Sequence, residues 1–194
     1  MLSLHNVIII MIDGGRYDRS INSDFYKKLK EKSSFFSQPI TYAPHTIAAM
    51  HAVFSGCYGI RTGTDSYWST YRFKKNQFKT ITEYLHDQNY YTSADIVSEI
   101  VIPKQGFDEF QIHDEQKDDL TLRHLELIEK TYTNNKNKNF FLYLQFSSIH
   151  TGISNEVLQV YDNFSEEYFQ NKKLNERRYD ELFKKSEFYL DKIF

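Results

Sequence analysis

Residues 6–18 read NVIIIMIDGGRYD. The apolar run from Val7 to Ile12 is β-branched and apolar on both faces. A strand that shows no alternation is one buried on both sides, so the pattern predicts a central parallel strand over 6–12 with helices above and below. Asp13 follows directly, at the strand's carboxyl end, and Gly14-Gly15 lets the chain turn tightly there. Ligands of open α/β sheets bind outside the carboxyl ends of the strands. Asp13 therefore reads either as a ligand for a hard cation or zinc, or as a cap of the turn. Asp18, further along, reads as a surface or capping residue.

Working outward, the same kind of run recurs as FFLYLQF (140–146), a second core strand. YYTSADIV (90–97) reads as a strand, and GFDEFQIH (106–113) as a further one. Helical spacing is found over 22–32, 46–54, 79–88, 117–132 and 175–194, and FFSQPITY (35–42) reads as extended, with Pro39 marking an irregularity. Strands alternating with helices predict an α/β fold with a mainly parallel sheet sandwiched by helices. The 194 residues suffice for one substantial core, so 1–194 is expected to be a single α/β domain. The closing YLDKIF still carries a helix pattern with no capping glycine behind it, and such a helix normally leads into another strand. The expectation is a sheet lacking its C-terminal portion.

Composition excludes some classes of partner. The net charge is −2 with both signs spread along the chain, which favours neither a nucleic-acid groove nor a polybasic membrane patch. Val7 to Ile12 is far short of the roughly 20 apolar residues that span a bilayer, and no basic segment or cleavage site makes it a signal peptide. Cys57 is the sole cysteine, so no internal disulfide can form. A soluble, cytoplasmic protein is expected.

A second place for chemistry is APHTIAAMHAVFSG (43–56). Pro44 breaks any helix before it, and Thr46 precedes a stripe of Ile47, Met50, His51 and Phe54. Thr46 reads as an N-cap, whose hydroxyl accepts a backbone N–H bond. It also reads as a nucleophile, because the positive end of the helix favours an anion in front of it and a metal makes a hydroxyl easier to deprotonate. A third place is SSIHTG, where His150 sits just beyond a core strand. It reads as a metal ligand, as a donor to an anion or as a plain loop histidine.

In order and spacing, these segments resemble the alkaline phosphatase and sulfatase superfamily, above all the N-terminal part of sulfatase-like hydrolases. NVIIIMIDGGRYDRS resembles the family's first strand with its metal-binding aspartate. PHTIAAMHAVFSGCYGIRTG resembles the nucleophile segment, with a glycine ten residues after the nucleophile, here Thr46 to Gly56. KTITEYLHDQNYYTSADIV, QGFDEF, FFLYLQFSSIH and YDELFKKSEFYLDKIF resemble successive later units, so the likeness runs over nearly the whole chain. It implies Asp13 and Thr46 as ligands of a divalent metal (Zn, Mn or Ca), Thr46 as nucleophile and His150 as a substrate-binding residue. The implied substrate is a small-molecule, glycan-linked or lipid-linked phosphate or sulfate ester.

The departures narrow this. Sulfatases carry a Cys or Ser converted to formylglycine and followed by Cys-x-Pro-x-Arg. Here Thr46, Ala48 and Met50 occupy the nucleophile, proline and arginine positions, and threonine cannot become formylglycine. Gly14 stands where a second aspartate is common, no Gly-Lys-Trp-His follows 90–97, and the histidine segment reads IHTGI. The pattern is similar to the threonine-using branches, in which the threonine attacks phosphorus. The family's later Asp-His segment would come after the terminal helix. The alternative expectation is therefore a truncated, catalytically inactive relative or binding module.

Overall fold

The computed structural model describes residues 5–153 and 171–194. In chain order the elements are β1 (Val7–Ile12), α1 (Tyr17–Ser20), α2 (Asp24–Glu31), α3 (Thr46–Ser55), α4 (Gly59–Thr62), a 3-10 turn (Tyr67–Arg72), α5 (Ile81–Asp87), β2 (Tyr91–Ile96), β3 (Glu109–Ile112), α6 (Leu120–Asn134), β4 (Phe140–Phe146), α7 (Ser148–Gly152) and α8 (Lys172–Ile193). The strands form one four-stranded sheet in the order β1-β4-β2-β3. β2 runs parallel to both its neighbours, with Tyr91 opposite Phe140 and Ser93 opposite Glu109. The α/β class and its parallel sheet flanked by helices are as the sequence led one to expect.

Among the described residues the interior strands are β4 and β2, and β1 stands at one end of the order. Every residue of β4 is buried, whereas β1 ends the strand order and leaves Val7 37% and Ile8 39% exposed. An apolar run reports what a strand can bury, and an edge position covers less of it. Residues 35–42 form neither helix nor strand, and Phe36 and Ile40 are exposed. Among the described residues no helix is long and apolar enough to cross a membrane.

The chain divides into two compact units. The first comprises 1–10, 38–114 and 124–144. Its core is aromatic: Phe54 of α3 meets Tyr143 and Phe141 of β4 edge-on, at ring-centroid distances of 5.2 and 6.3 Å, and Phe107 at 6.0 Å. Such edge-to-face pairs add about 0.5–1.5 kcal/mol each to the burial of the rings. α5 opens with a capping box, Thr80 bonding the Glu83 N–H and Glu83 returning to the Thr80 N–H. The turn before β3 is tied to this helix start. Thr82 Oγ1 donates to the Gln105 carbonyl at 2.6 Å, and Thr92 Oγ1 to the Gly106 carbonyl at 2.6 Å.

The second unit comprises 11–37, 115–123 and 145–194. Here α8 is the organising element. Leu182 lies against Gly152 of α7, Tyr189 stacks on Phe146 at 4.4 Å, and the Tyr179 hydroxyl donates to the Gly14 carbonyl at 2.7 Å. Arg19 pairs with Asp180 at 2.6 Å, and Ser23, the cap of α2, bonds Glu187.

Two expectations follow for the first unit. Gly106 has φ +78°, and a Cβ there would come within 2.4 Å of the Glu83 backbone nitrogen. Gly106→Ala should cost at least about 2 kcal/mol in urea denaturation, from the collision and the left-handed backbone together. Glu109, bonded by Lys130 and by the Tyr91 hydroxyl, titrates well below its usual range, at about 2. Its folded value is depressed, so its contribution is present above the unfolded value near 4.5 and is lost as pH falls toward 2. Lys130→Met should shrink that acid-side loss of stability, measured by denaturation between pH 5 and 2.

Candidate functional site

Thr46 belongs to the first unit and is the first residue of α3. It is not the cap. His45 takes that place in an extended conformation, and its Nδ1 accepts the Ala48 N–H at 3.4 Å. A histidine can cap because an unprotonated ring nitrogen is an acceptor, a possibility that the usual Ser/Thr/Asp/Asn preference hides. Capping therefore does not account for Thr46. Ile47, Ala48, His51 and Phe54 anchor the helix in the core, and it ends at Gly56, whose φ of +64° gives the left-handed terminus.

Asp13 and His150 belong to the second unit. Asp13 follows β1, its N–H donates to the Phe146 carbonyl at 3.0 Å, and its Oδ2 accepts the Gln145 amide at 2.9 Å. Gln145 is fully buried at the end of β4, so the carboxylate is oriented by a donor shielded from solvent. The turn at Gly14 is pressed onto the start of α7: a Cβ on Gly14 would lie 3.1 Å from Ile149 Cγ2 and 3.2 Å from the His150 nitrogen. This brings the Asp13 turn and the His150 backbone together. His150 is in a short helix, not a loop, and is exposed, its Nδ1 4.0 Å from Glu115 Oε2. Thr151 is buried beside it and donates to the same Glu115 oxygen at 2.8 Å. Asp18 is a surface residue paired with Arg16 and Arg19, each at 2.7 Å.

An oriented carboxylate is the donor type a divalent cation takes, so Asp13 fits the metal-ligand role, and a carboxylate accepts several partners at once. The first unit holds a second donor set that sequence reading overlooked. Asp95 of β2, His113 just after β3 and His124 of α6 offer ligand atoms within 4.8 Å of one another, all buried. His113 Nδ1 lies 2.5 Å from Asp95 Oδ1, and His124 Nε2 lies 3.6 Å from the same oxygen. The chemistry suits zinc. The signal was available: Asp95 interrupts the apolar half of YYTSADIV, and GFDEFQIH ends on a histidine at the same sheet edge.

The sulfatase-like pattern extends over the whole described chain. A family profile described as Sulfatase matches residues 5–194, and the chain belongs to that family. No curated protein sequence matches it. Among solved structures, a protein of the alkaline phosphatase superfamily from Vibrio parahaemolyticus has a TM-score of 0.62 at 16% identity, covering 97% of this chain and 50% of that one. The C-terminal periplasmic domain of EcEptC from Escherichia coli, in complex with Zn, also has a TM-score of 0.62, at 10% identity, covering 97% and 58%. BT4656, in complex with its substrate D-glucosamine-2-N,6-O-disulfate, has a TM-score of 0.57 at 16% identity, covering 79% and 38%. These likenesses establish a shared fold, and the chain spans 38–58% of the lengths of these structures.

The buried donor set yields a stability test. His113→Ala removes the 2.5 Å partner of a fully buried carboxylate. It should lower stability by about 3 kcal/mol or more, read from the urea midpoint.

Proposed function

We propose that the protein is a metal-dependent hydrolase or transferase of phosphate or sulfate esters, with Thr46 as nucleophile. The observation that carries this is the position of Thr46: the opening residue of a core-anchored helix whose capping is done by its neighbour His45. Thr46 has no structural duty as a cap, and it stands at the end of the helix where an anion is favoured. The family membership supports the same reading.

In this reading Thr46 Oγ1 attacks the phosphorus or sulfur as the bond to the alcohol oxygen breaks, the threonine's proton ends on the departing alcohol, and water (hydrolase) or a second alcohol (transferase) then takes the group from Thr46 and restores its hydroxyl. The N-terminal N–H groups of α3 stabilise negative charge as it builds on the ester oxygens. His150, exposed, donates to those oxygens. Asp13 and Thr46 would hold a divalent metal (Zn, Mn or Ca), which when bound lowers the pKa of the hydroxyl and neutralises charge. Gln145 keeps the Asp13 carboxylate oriented for that role. Thr46, Ala48 and Met50 favour phosphate chemistry over the formylglycine route. We assign residues 1–194 to one sulfatase-like domain. A cytoplasmic location rests on the lone Cys57.

Turnover of a phosphodiester and an aryl sulfate, with Zn, Mn or Ca added singly, tests the proposal. Thr46→Ala should lower kcat at least about 100-fold, because no other group replaces a covalent nucleophile, while Thr46→Ser keeps measurable turnover. Equal rates in wild type and Thr46→Ala would remove Thr46 from the reaction. Chelation of the metal should abolish turnover and its return restore it.

A further inference from the structure

Asp95, His113 and His124 are carried to one point by three elements of the first unit. β2 pairs with β3 so that Ser93 is opposite Glu109 and Asp95 is opposite Gln111. His113 continues the line of β3, its N–H donating to the Ile96 carbonyl at 2.9 Å. It comes two residues after Gln111 and so falls on the face of the sheet that carries Asp95. α6 packs its buried stripe of Leu120, His124, Leu127 and Thr131 inward, and its Lys130 bonds Glu109 at 2.8 Å.

The side chains of all three are shut off from solvent. A carboxylate taken this far from water has to be met by positive charge or by several donors. A protonated His113, 2.5 Å away, would balance Asp95 by itself, and that pair makes no use of His124. Yet His124 brings Nε2 to 3.6 Å from the same Oδ1, beyond hydrogen-bond range. The ligand atoms of the set lie within 4.8 Å of one another, while the centroids of the two rings are 6.3 Å apart. Both rings thus turn a nitrogen inward. Two imidazole nitrogens gathered on one carboxylate oxygen are the arrangement that a shared cation produces. Zinc bonds of about 2.0–2.1 Å at tetrahedral angles set neighbouring ligand atoms about 3.3 Å apart. The distances of 2.5 and 3.6 Å to Oδ1 lie on either side of that value, so side-chain shifts of about 1 Å or less admit the ion.

We propose that Asp95, His113 and His124 bind one zinc ion in a closed, structural site that uses none of the residues assigned to ester cleavage. The donor types select the metal. Two imidazoles and one carboxylate suit zinc, whereas calcium and magnesium take oxygen ligands in larger number. Burial makes the role structural, because it leaves a substrate no route to the ion. An enclosed water completes the four ligands. The ion acts as a staple: it ties β2, the end of β3 and α6 together and binds only when the three are in place, so it stabilises the folded arrangement. The proposal does not depend on the ester-cleaving reading, whose residues are Asp13, Thr46 and His150.

The test reads metal binding and stability, not turnover. Untagged protein is stripped with a chelator, dialysed and titrated with zinc, followed by calorimetry and thermal melting. Zinc should bind and raise the melting temperature, and magnesium and calcium should not. Cobalt(II) in its place should give the intense visible absorption of tetrahedral coordination. Asp13 and Thr46 are themselves proposed to hold a divalent metal, so the measurements are repeated on the double variant Asp13→Ala, Thr46→Ala. The zinc-dependent rise and the cobalt spectrum should persist there. His124→Gln, which keeps a polar side chain, should weaken zinc binding at least about 100-fold, at or beyond the loss typical of an outer-shell partner, and abolish the rise. Three results would each overturn the proposal: zinc that leaves the melting temperature of the stripped wild type unchanged, zinc binding lost in the double variant, or wild-type affinity in His124→Gln. If His124→Gln fails to fold, the double variant decides, a zinc-dependent rise with a tetrahedral cobalt spectrum upholding the site and the absence of either overturning it. Loss of the ester-cleaving reading would show in turnover alone and leave every one of these readouts in place.

Discussion

The first unit depends on the burial of β4 on both faces. A strand with no exposed residue must be paired along its edges and covered above and below, and the parallel partner β2 and the Phe54 ring of α3 meet those demands. Because α3 is fixed by its C-terminal Phe54, its opening residue Thr46 is fixed too, one helix length away. The placement of the candidate nucleophile is thus a consequence of core packing and needs no dedicated support.

How far the sequence spoke depends on whether the signal was local. β4, β2 and α3 lie close to where their residue patterns put them, since two-sided burial and the spacing of Ile47, His51 and Phe54 are properties of the segments themselves. The strand order is a property of pairing. The apolar run at Val7 to Ile12 looked central and lies at the end of the sheet, because burial capacity does not say which strands stand beside it. FFSQPITY is aromatic and β-prone yet forms no strand, for the same reason.

At the site the pattern is similar. Asp13 at a strand end and Thr46 at a helix start follow from local turn chemistry. What the sequence hid was each residue's company. Gln145 turns Asp13 into an oriented carboxylate, His45 takes over the cap, and Asp95, His113 and His124 converge from three elements far apart in the chain. His51 looked like one more residue on an apolar stripe, and its ring is indeed in the core, where its Nδ1 is buried without a hydrogen-bond partner among the described residues.

The ties around Gly106 have a dynamic consequence. Thr80 and Thr82 hold the Gln105 carbonyl, Thr92 holds the Gly106 carbonyl, and Asp108 answers with a carboxylate on the Thr92 N–H at 2.9 Å. The start of α5, the start of β2 and the turn into β3 are thereby latched to one another, and none can loosen while the others stay shut. Residues 80–108 should open as a single cooperative segment, their amides exchanging with solvent together. Residues 99–105, which line an open cleft opposite Tyr67, Trp68 and Tyr71, lie inside that segment and are tied to it at the Gln105 carbonyl.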